Sequence, residues 1–332
     1  MSRPKVLLLG EIEHAHDDWN ALGEIATLIT PLAKTRAEFI EECRSGRLDG
    51  VVATYRTFPS VSTTGRFDEE LVAVLPTTLK FICHNGAGYD QVDVSVCTPR
   101  GIRVSNVPTA VDDATADVTM FLILGALRGL YTSMRALRDG KWRGEPPPPL
   151  GHDPEGKVLG ILGMGGIGRN LKKKAEAFGM TLQYHNRNEL TAELSGGAKY
   201  VTFDELLSTS DVISLNLPLN RATHHMISTA EFAKMKTGVV IVNSARGAVM
   251  NEAALVAALD EGKVLSCGLD VYEAEPQIHP GLLSNPHVML IPHMGTWTYE
   301  TQAAMEKWNL SNVRSALLTG KLRSPVAEQA GM

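Results

Sequence analysis

Two kinds of segment alternate along the chain. Short apolar runs rich in β-branched residues recur between longer amphipathic stretches of helical length throughout the 332 residues. This alternation is typical of an α/β protein in which helices cover both faces of parallel sheets. The predicted strands form an early and a late series: Lys5–Leu9, 50–54 and 79–83, then 157–163, Thr181–His185, Val212–Leu215, Val239–Asn243, 265–270 and 288–292.

A long helical stretch and a proline-rich loop separate the two series. Residues 114–140 have helical periodicity. The four consecutive prolines at 146–149 cannot lie inside a helix, so they predict a stiff surface connector. A last stretch, 298–318, is helical and has no strand after it. The pattern predicts two βαβ domains, with a cofactor-binding domain in the middle and later part of the chain.

Composition and charge narrow the classes of partner. Apolar residues make up 44% and charged residues 21%, as in ordinary globular proteins, and the net charge of −5 offers no basic surface for nucleic acid. The most apolar stretch, 118–127, has about half the length needed to span a bilayer. Four scattered cysteines without a CxxC pair argue against a zinc site and favour a reducing compartment, the cytoplasm. We expect no metal, nucleic-acid or membrane partner.

A glycine-rich loop carries the first sign of function. The sequence GMGGIG at 163–168 matches GxGxxG and lies between a strand-like run, 157–162, and a helix-like run, 169–178. In that context the first glycine allows a tight turn, the second lets a pyrophosphate approach the backbone, and the third lets the helix pack on the strand. The helix N-terminus offers N–H groups to the phosphates. The predicted dinucleotide-binding residues of this loop are Gly163, Gly165, Gly166, Ile167 and Gly168.

The next strand end bears on which dinucleotide is bound. An NAD site usually has an acidic residue there to hold the ribose 2′-OH, whereas this chain has Asn186 followed by Arg187. Arg187 can bind a 2′-phosphate through charge-assisted hydrogen bonds. This favours NADPH over NADH, with NAD(H) still possible. The alternative is that Arg187 is a solvated surface charge and Glu189 binds the ribose.

Three ionisable residues follow late strands. Arg246 lies in NSARG, Glu275 in DVYEAEP and His293 in PHMGT. Ligands of open α/β sheets bind beyond the carboxyl ends of the strands, so the three side chains are predicted to converge on one crevice. Each alone would more often be a salt bridge or an ordinary polar residue.

Reduction of a 2-oxo acid needs this set of groups. Hydride delivery to the carbonyl carbon leaves an alkoxide, which a His293 imidazolium can protonate. A Glu275 carboxylate beside the ring favours its charged form and orients it. Arg246 can bind the substrate carboxylate and polarise the carbonyl oxygen. The three residues are therefore candidate catalytic groups.

NSARG, LDVYEAEP and PHMGT after GMGGIG resemble the D-isomer-specific 2-hydroxyacid dehydrogenase family over nearly the whole chain. CHNGAGYD at 83–90, YHNR at 184–187 and ATAD at 114–117 resemble the glyoxylate reductases of fungi. The resemblance implies the catalytic roles of Arg246, Glu275 and His293. It also implies that Asp270 holds the nicotinamide carboxamide and that the backbone of Asn85, Gly86, Ala87 and Gly88 binds the substrate carboxylate, with Arg246 and His293. Further implied cofactor contacts are Leu217, Pro218, Thr223, Ala245 and Gly295.

The family's architecture is implied as well. It is α/β with two doubly wound parallel-sheet domains, a Rossmann cofactor domain at 106–297 inserted in a flavodoxin-like substrate domain of 1–105 plus 298–332. A homodimer is expected, with 114–142 contributing to its interface. Two positions depart from the family: Gly166 stands where relatives often carry Arg, and Trp297 where smaller residues are common. Tyr55, Arg56, Phe58 and Trp142 are expected either to line the acyl side of the site or to be packing residues.

The leading hypothesis is an NADPH-dependent reductase of glyoxylate or hydroxypyruvate. A second is a reductase of larger or aromatic 2-oxo acids, as in mandelate metabolism, motivated by Trp297 and the Tyr55–Arg56 pair. A third is a dinucleotide-sensing scaffold like the corepressors that share the fold. The chain lacks the disordered tail or basic patch expected of such a scaffold, so this reading is disfavoured.

Overall fold

The computed structural model describes residues 3–332, which fold into two compact units. Unit 1 contains the chain up to Val111 together with Thr298–Met332, and unit 2 is Asp112–Trp297. The first boundary thus lies at Val111 rather than after residue 105. Residues 106 and 107 are tied into unit 1, because the Asn106 side chain donates to the Ala87 carbonyl and the Val107 N–H donates to the Gly86 carbonyl.

The strands of the described chain are β1 (Lys5–Leu9), β2 (Thr27–Ile29), β3 (Val51–Thr57), β4 (Phe81–Asn85), β5 (Arg103–Ser105), β6 (Val158–Leu162), β7 (Thr181–His185), β8 (Lys199–Tyr200), β9 (Val212–Leu215), β10 (Val239–Asn243), β11 (Val264–Leu269) and β12 (Val288–Leu290). The helices are α1 (His16–Leu22), α2 (Arg36–Arg44), α3 (Val61–Thr64), α4 (Glu69–Val74), α5 (Val94–Cys97), α6 (Asp112–Arg128), α7 (Leu130–Arg138), α8 (Gly166–Ala177), α9 (Ala192–Ser195), α10 (Phe203–Thr209), α11 (Thr229–Lys234), α12 (Glu252–Asp260), α13 (Pro280–Ser284) and α14 (Tyr299–Thr319).

Unit 1 is built on a parallel sheet of order β2-β1-β3-β4-β5. This is the flavodoxin-like order of doubly wound folds. Every residue of β4 is buried, as expected of a central strand covered on both faces. One apolar layer includes Phe39 and Leu71, and the other brings Leu310 and Val313 of α14 against the sheet.

A buried carboxylate ties α14 to the loop after β1. Glu306 is only 3% exposed, and its oxygens accept hydrogen bonds from the N–H groups of Glu13, His14 and Ala15 at 2.8–2.9 Å. A buried acceptor without such donors would cost free energy, so these bonds fix the C-terminal helix in unit 1. The last helix and the first hundred residues therefore form one folded body.

Unit 2 is built on a parallel sheet of order β12-β11-β10-β9-β6-β7-β8. Read from β8, this is the Rossmann order with one further strand, and the chain reverses direction across the sheet between β6 and β9. Parallel sheets of this kind bind ligands beyond the strands' carboxyl ends at the reversal. The predicted fold class of two doubly wound parallel sheets is confirmed.

The predicted helix at 114–140 is broken in two. The first helix, α6, ends at Arg128 because Gly129 adopts a left-handed conformation (φ 58°). The second, α7, is bent by 79° relative to α6. Among residues 3–332 no single helix is long and apolar enough to cross a bilayer; only α6 and α7 counted together reach that length and composition, across their bend. The three strands that were not predicted, β2, β5 and β8, are short and lie at sheet edges.

Candidate active site

The predicted site residues of unit 2 gather along one edge of its sheet. Each follows the carboxyl end of a strand, which in a parallel sheet is the same edge for all strands. The groups are Gly163–Gly168 after β6, Asn186 and Arg187 after β7, Leu217, Pro218 and Thr223 after β9, Ala245 and Arg246 after β10, Asp270 and Glu275 after β11, and His293 and Gly295 after β12.

The glycine loop has a shape that only glycine allows at two positions. Gly163 has φ +95°, and a Cβ there would lie 2.7 Å from the Asn216 carbonyl oxygen. A Cβ on Gly168 would lie 2.6 Å from the Gly163 carbonyl oxygen, so the turn and the helix pack backbone to backbone. Around Gly165, by contrast, a Cβ would meet nothing within 4 Å. The open side of the loop is therefore at Gly165.

The N-terminus of α8 provides free donors at that opening. Gly165 is the N-cap and contributes no side-chain cap, so the first-turn N–H groups of Gly166, Ile167 and Gly168 have no intrahelical acceptor. The Met164 N–H is already used, because it donates to Asn186 Oδ1 at 2.7 Å. Uncapped N–H groups at the positive end of a helix dipole fit a diphosphate. The residues present thus fit a dinucleotide, with α8 beginning three residues before the predicted helix start.

Arg187 lies at the rim of this site. It is exposed, and it makes no hydrogen bond or ion pair with the described residues. Asn186 lies in the position where a ribose-binding carboxylate would stand. Its side-chain oxygen accepts a hydrogen bond from the Met164 N–H, and its carbonyl oxygen accepts one from the Tyr200 hydroxyl. The residue directly after this strand is therefore an amide rather than a carboxylate.

Asp112 lies directly over Gly166. A Cβ on Gly166 would overlap the Asp112 carboxylate, so any larger residue at 166 requires Asp112 to move. Burial raises the pKa of Asp112 to about 6, although the nearby Arg169 opposes the rise. No local sequence pattern predicts Asp112 at this position. Gly166 and Asp112 form a pair, which accounts for the missing side chain at 166.

Glu275 and His293 form the ionisable pair of the site. His293 Nδ1 and Glu275 Oε2 are 2.9 Å apart, while Glu275 Oε1 accepts from the Tyr272 N–H at 2.9 Å. Burial acts to raise the pKa of Glu275, but the hydrogen bond and charge of His293, with further help from Tyr272 and Arg246, hold it below its usual value. Glu275 is thus an anion that orients the imidazole of His293 through this hydrogen bond.

Asp270 fixes the backbone that carries His293. It is 1% exposed, and its two oxygens accept from the N–H groups of Met294 and Gly295. His293 itself has φ +54°, an uncommon conformation for a residue with a side chain, and its N–H donates to the Asp270 carbonyl at 2.8 Å. Burial raises the pKa of Asp270 to about 6, against the hydrogen bonds and His293 charge that lower it. Asp270 therefore positions His293.

Arg246 is held close to the loop that carries Glu275, because its neighbour Gly247 packs against Tyr272. A Cβ on Gly247 would lie 1.9 Å from the Tyr272 carbonyl carbon, so the backbones of the two segments are in direct contact. The Asn243 side chain donates to the Arg246 carbonyl at 3.0 Å and so fixes the turn after β10. The structure thereby brings Arg246 and Glu275 onto adjacent backbone segments.

A second set of residues holds the loop after β11 through hydrogen bonds to Glu273. The Glu252 N–H donates to Glu273 Oε1 at 2.6 Å, and the Glu273 N–H donates to Glu252 Oε1 at 2.8 Å. The other Glu273 oxygen lies 3.1 Å from His225 Nε2. Burial raises the pKa of Glu252. We name Glu252, Glu273 and His225 the brace; because its members are distant in sequence, sequence reasoning missed it.

Comparison with known proteins decides the family. A model described as "D-isomer specific 2-hydroxyacid dehydrogenase, NAD binding domain" matches residues 120–295. The chain belongs to this family. A 4-methyl-2-oxopentanoate reductase A from Aspergillus oryzae is 58% identical over 326 residues, 98% of each chain.

Two solved structures of D-2-hydroxyacid dehydrogenases match over nearly their full length. A glyoxylate reductase from Paecilomyes thermophila has a TM-score of 0.97 at 56% identity, covering 99% of this chain and 100% of that one. The holo D-mandelate dehydrogenase of Rhodotorula graminis has a TM-score of 0.92 at 35% identity, covering 98% of each. The predicted family and enzyme class are confirmed: the chain is an NAD(P)-dependent oxidoreductase.

The family's predicted substrate loop lies in unit 1. The carbonyl groups of Gly86, Ala87 and Gly88 accept from the Val107 N–H, the Asn106 side chain and His84 Nε2 at 2.7–2.9 Å. In a trans peptide the next N–H points the opposite way from the carbonyl. Each N–H group of residues 87–89 therefore points away from the partner of the carbonyl before it.

One interpretation of the bulky residues is wrong. Tyr55 and Arg56 are both 0% exposed, so they lie inside unit 1 and do not line an acyl pocket. Strand β3 continues through them to Thr57, beyond its predicted end at 54, because both faces of the sheet are covered there. Trp297 and Trp142 are 66% and 71% exposed. Of the remaining predicted residues, Thr223 closes a turn by donating to the Pro218 carbonyl at 2.6 Å. Among the described residues no His, Cys, Asp or Glu cluster could hold a metal ion.

Proposed function

We propose that this enzyme reduces glyoxylate or hydroxypyruvate to the corresponding 2-hydroxy acid with NADPH. The observation that carries the proposal is the Glu275–His293 pair, 2.9 Å apart, at the same sheet edge as the uncapped N-terminus of α8. That edge thus holds both a place for a dinucleotide and a proton donor. The glyoxylate reductase of P. thermophila, at 56% identity, supports this substrate class.

Each group has a distinct role in the proposed reaction. When bound, the nicotinamide supplies the hydride. His293 donates a proton to the alkoxide oxygen formed at C2, and Glu275 holds the ring with Nδ1 turned to the carboxylate. Arg246 neutralises the substrate carboxylate or the developing negative oxygen. Asp270 fixes the His293 loop and is our candidate for the nicotinamide carboxamide.

The backbone of the loop Asn85–Gly88 is the proposed binding site for the substrate carboxylate. The carbonyls of Gly86, Ala87 and Gly88 are bonded to partners inside unit 1, so the N–H groups of residues 87–89 point away from those partners and can donate to an anion. Substrates with a free carboxylate should therefore be strongly preferred over their esters. Comparing kcat/KM for pyruvate and methyl pyruvate measures this preference.

Arg187 supports the NADPH preference. An exposed guanidinium without an ion partner at the end of β7 can bind a 2′-phosphate, whereas no carboxylate stands there for a ribose hydroxyl. Arg187→Ala should raise the KM for NADPH by roughly tenfold or more and leave that for NADH unchanged. Arg44→Ala, which removes an exposed arginine of α2, is the matched control. Equal effects on both cofactors would contradict the assignment.

A second candidate function has its own support. The A. oryzae relative, 58% identical, is named for 4-methyl-2-oxopentanoate, a substrate with a larger acyl group. Initial rates with glyoxylate, hydroxypyruvate, 4-methyl-2-oxopentanoate and benzoylformate, each with NADPH and NADH, separate the two functions. A kcat/KM at least tenfold higher for either branched or aromatic acid would favour the second. No turnover of any of the four would contradict both.

A homodimer is also proposed, through the exposed apolar side chains of α7 and the segment after it. Met134, Leu137 and Trp142 are 50%, 55% and 71% exposed, an uncommon concentration for a monomer's surface. Leu137→Asp should shift sedimentation from dimer to monomer, with Leu283→Asp, at equal exposure in α13, as control. We further propose a cytoplasmic location, since all four cysteines are buried free thiols.

A further inference from the structure

Arg56 is a buried cation whose charge no carboxylate neutralises at contact distance. The side chain is 0% exposed, at the end of β3. Its terminal nitrogens contact His84 Nδ1 at 3.0 Å and Gln91 Oε1 at 2.7 Å, both uncharged acceptors, and its Nε–H has no partner. Burial lowers the pKa of Arg56 to about 10, with Asp90 acting in the opposite direction, so the guanidinium stays charged at neutral pH.

Retaining such a charge costs free energy. Burying a guanidinium without an anion is unfavourable, and apolar replacements of buried charges often leave a fold as stable or more so. Packing alone therefore does not account for Arg56. The face of Phe67, 5.4 Å from the guanidinium carbon, gives only partial compensation. An anion that binds nearby would neutralise the rest of the Arg56 charge.

His84 links Arg56 to the substrate loop. A guanidinium can only donate, so His84 Nδ1 accepts from it and the ring proton lies on Nε2. Nε2 then donates to the Gly88 carbonyl at 2.8 Å, one of the three inward-turned carbonyls of the loop. The loop also packs onto this ring, since a Cβ on Gly86 would lie 2.7 Å from Nε2. Arg56 thus fixes the tautomer that holds the loop.

We propose that Arg56 is the positive charge that draws the substrate carboxylate to the Asn85–Gly88 loop and, through His84, the positioning residue that holds the loop in its binding conformation. The inference rests on the function proposed above. It predicts that the charge at Arg56 acts on substrate affinity far more than on the fold or on the cofactor.

Gln91→Glu is the sharpest variant. It places a carboxylate against the Arg56 guanidinium, at the site of the present 2.7 Å hydrogen bond, and so cancels the charge while adding a salt bridge. We expect unchanged or higher thermal stability, with the KM for glyoxylate and the Kd for oxamate raised by roughly threefold to tenfold. Arg56→Met should raise both by about tenfold or more, and Arg56→Lys should restore most of the affinity.

Three readouts separate this role from a structural one. The Kd for NADPH and the kcat should change less than twofold, and kcat/KM for methyl pyruvate, which has no carboxylate charge, should be unaffected by Gln91→Glu. Arg66→Met removes an exposed arginine of the same unit, paired with Asp93, and should leave all values unchanged. Oxamate binding is measured by calorimetry on the protein saturated with NADP⁺.

The possible outcomes distinguish the role of Arg56 from the proposed reductase function. Wild-type protein that fails to bind oxamate would contradict the proposed function and the Arg56 assignment with it. Oxamate bound equally well by wild type, Gln91→Glu and Arg56→Met would contradict the Arg56 assignment alone. A loss in Gln91→Glu that is equal for pyruvate and methyl pyruvate would also overturn it, because the effect would then not be one of charge.

Discussion

Replacing Gly247 with alanine tests whether the contact between two backbone segments sets the geometry of the active site. The added Cβ would lie 1.9 Å from the Tyr272 carbonyl carbon, whereas ordinary contacts begin at 3.4 Å. The segments carrying Arg246 and Glu275 must therefore separate by about 1.5 Å, since close-packed backbone has no void to absorb the methyl group. Misplacement of about 1 Å near reacting groups can cost 10²-fold.

We expect Gly247→Ala to lower kcat/KM for the best 2-oxo acid by about 10²-fold. The Kd for NADPH should change little, because the glycine loop at α8 is not part of this contact. Overpacking should also lower the Tm by roughly 2–12 °C, from about 1–3 kcal/mol at 2–4 °C per kcal/mol. Steady-state kinetics, fluorescence titration with NADPH and calorimetric melting measure the three quantities.

Gly151→Ala is the control for stability without catalysis. Its Cβ would also meet backbone, 2.7 Å from Arg128 Cα, but in a loop far along the chain from the catalytic segments. It should lower the Tm while leaving kcat/KM within twofold. If Gly247→Ala melts at a lower temperature yet keeps kcat/KM within threefold of wild type, the contact does not position the catalytic groups.

Three further variants probe the remaining contacts. Glu275→Gln removes the charge 2.9 Å from His293 Nδ1, so kcat should fall by roughly tenfold to a hundredfold in steady-state assays with the Kd for NADPH unchanged; an unchanged kcat would contradict the pairing. Asp112→Asn should tighten NADH binding at pH 7.5 by roughly threefold to tenfold. In wild type the affinity for NADH should rise from pH 7.5 to pH 5.5, because the Asp112 carboxylate, with its pKa raised to about 6, is neutralised over this range. Asp112→Asn should abolish this rise. Equal pH dependence of the NADH affinity in both proteins would contradict the role of Asp112. Glu273→Ala removes the brace and leaves the buried Glu252 N–H without an acceptor, so kcat should fall by about tenfold with the Kd for NADPH unchanged.

The sequence predicted the central strands well and the edges poorly. Val239–Asn243 has its predicted bounds because it is a β-branched run buried on both faces, and Thr181–His185 has them with a buried centre, Leu182–Tyr184. β2, β5 and β8 span only three, three and two residues at sheet edges, where pairing with a neighbour rather than composition makes the strand. The sequence pattern did not predict the break in the helix after Arg128, because a glycine within a helical pattern does not by itself indicate a left-handed conformation.

The motifs identified which residues follow the strand ends, and the structure adds what holds them. Glu275 and His293 were predicted as partners from chemistry and lie 2.9 Å apart. Asp112 over Gly166, Gly247 against Tyr272 and the brace depend on segments far apart in sequence, so no local pattern could reveal them. The sequence left open whether Arg56 lines the site or packs, and the side chain is buried because the strand continues through it to Thr57.

The central claim is that His293, held by Glu275, is the proton donor of a 2-oxo acid reductase. The most direct test is the initial rate of NADPH oxidation on addition of glyoxylate, hydroxypyruvate or 4-methyl-2-oxopentanoate, for wild type and His293→Ala, with the Kd for NADPH measured alongside. We expect turnover by wild type and a loss of about 10²–10⁴-fold in His293→Ala at an unchanged Kd. An unchanged rate in His293→Ala would contradict it.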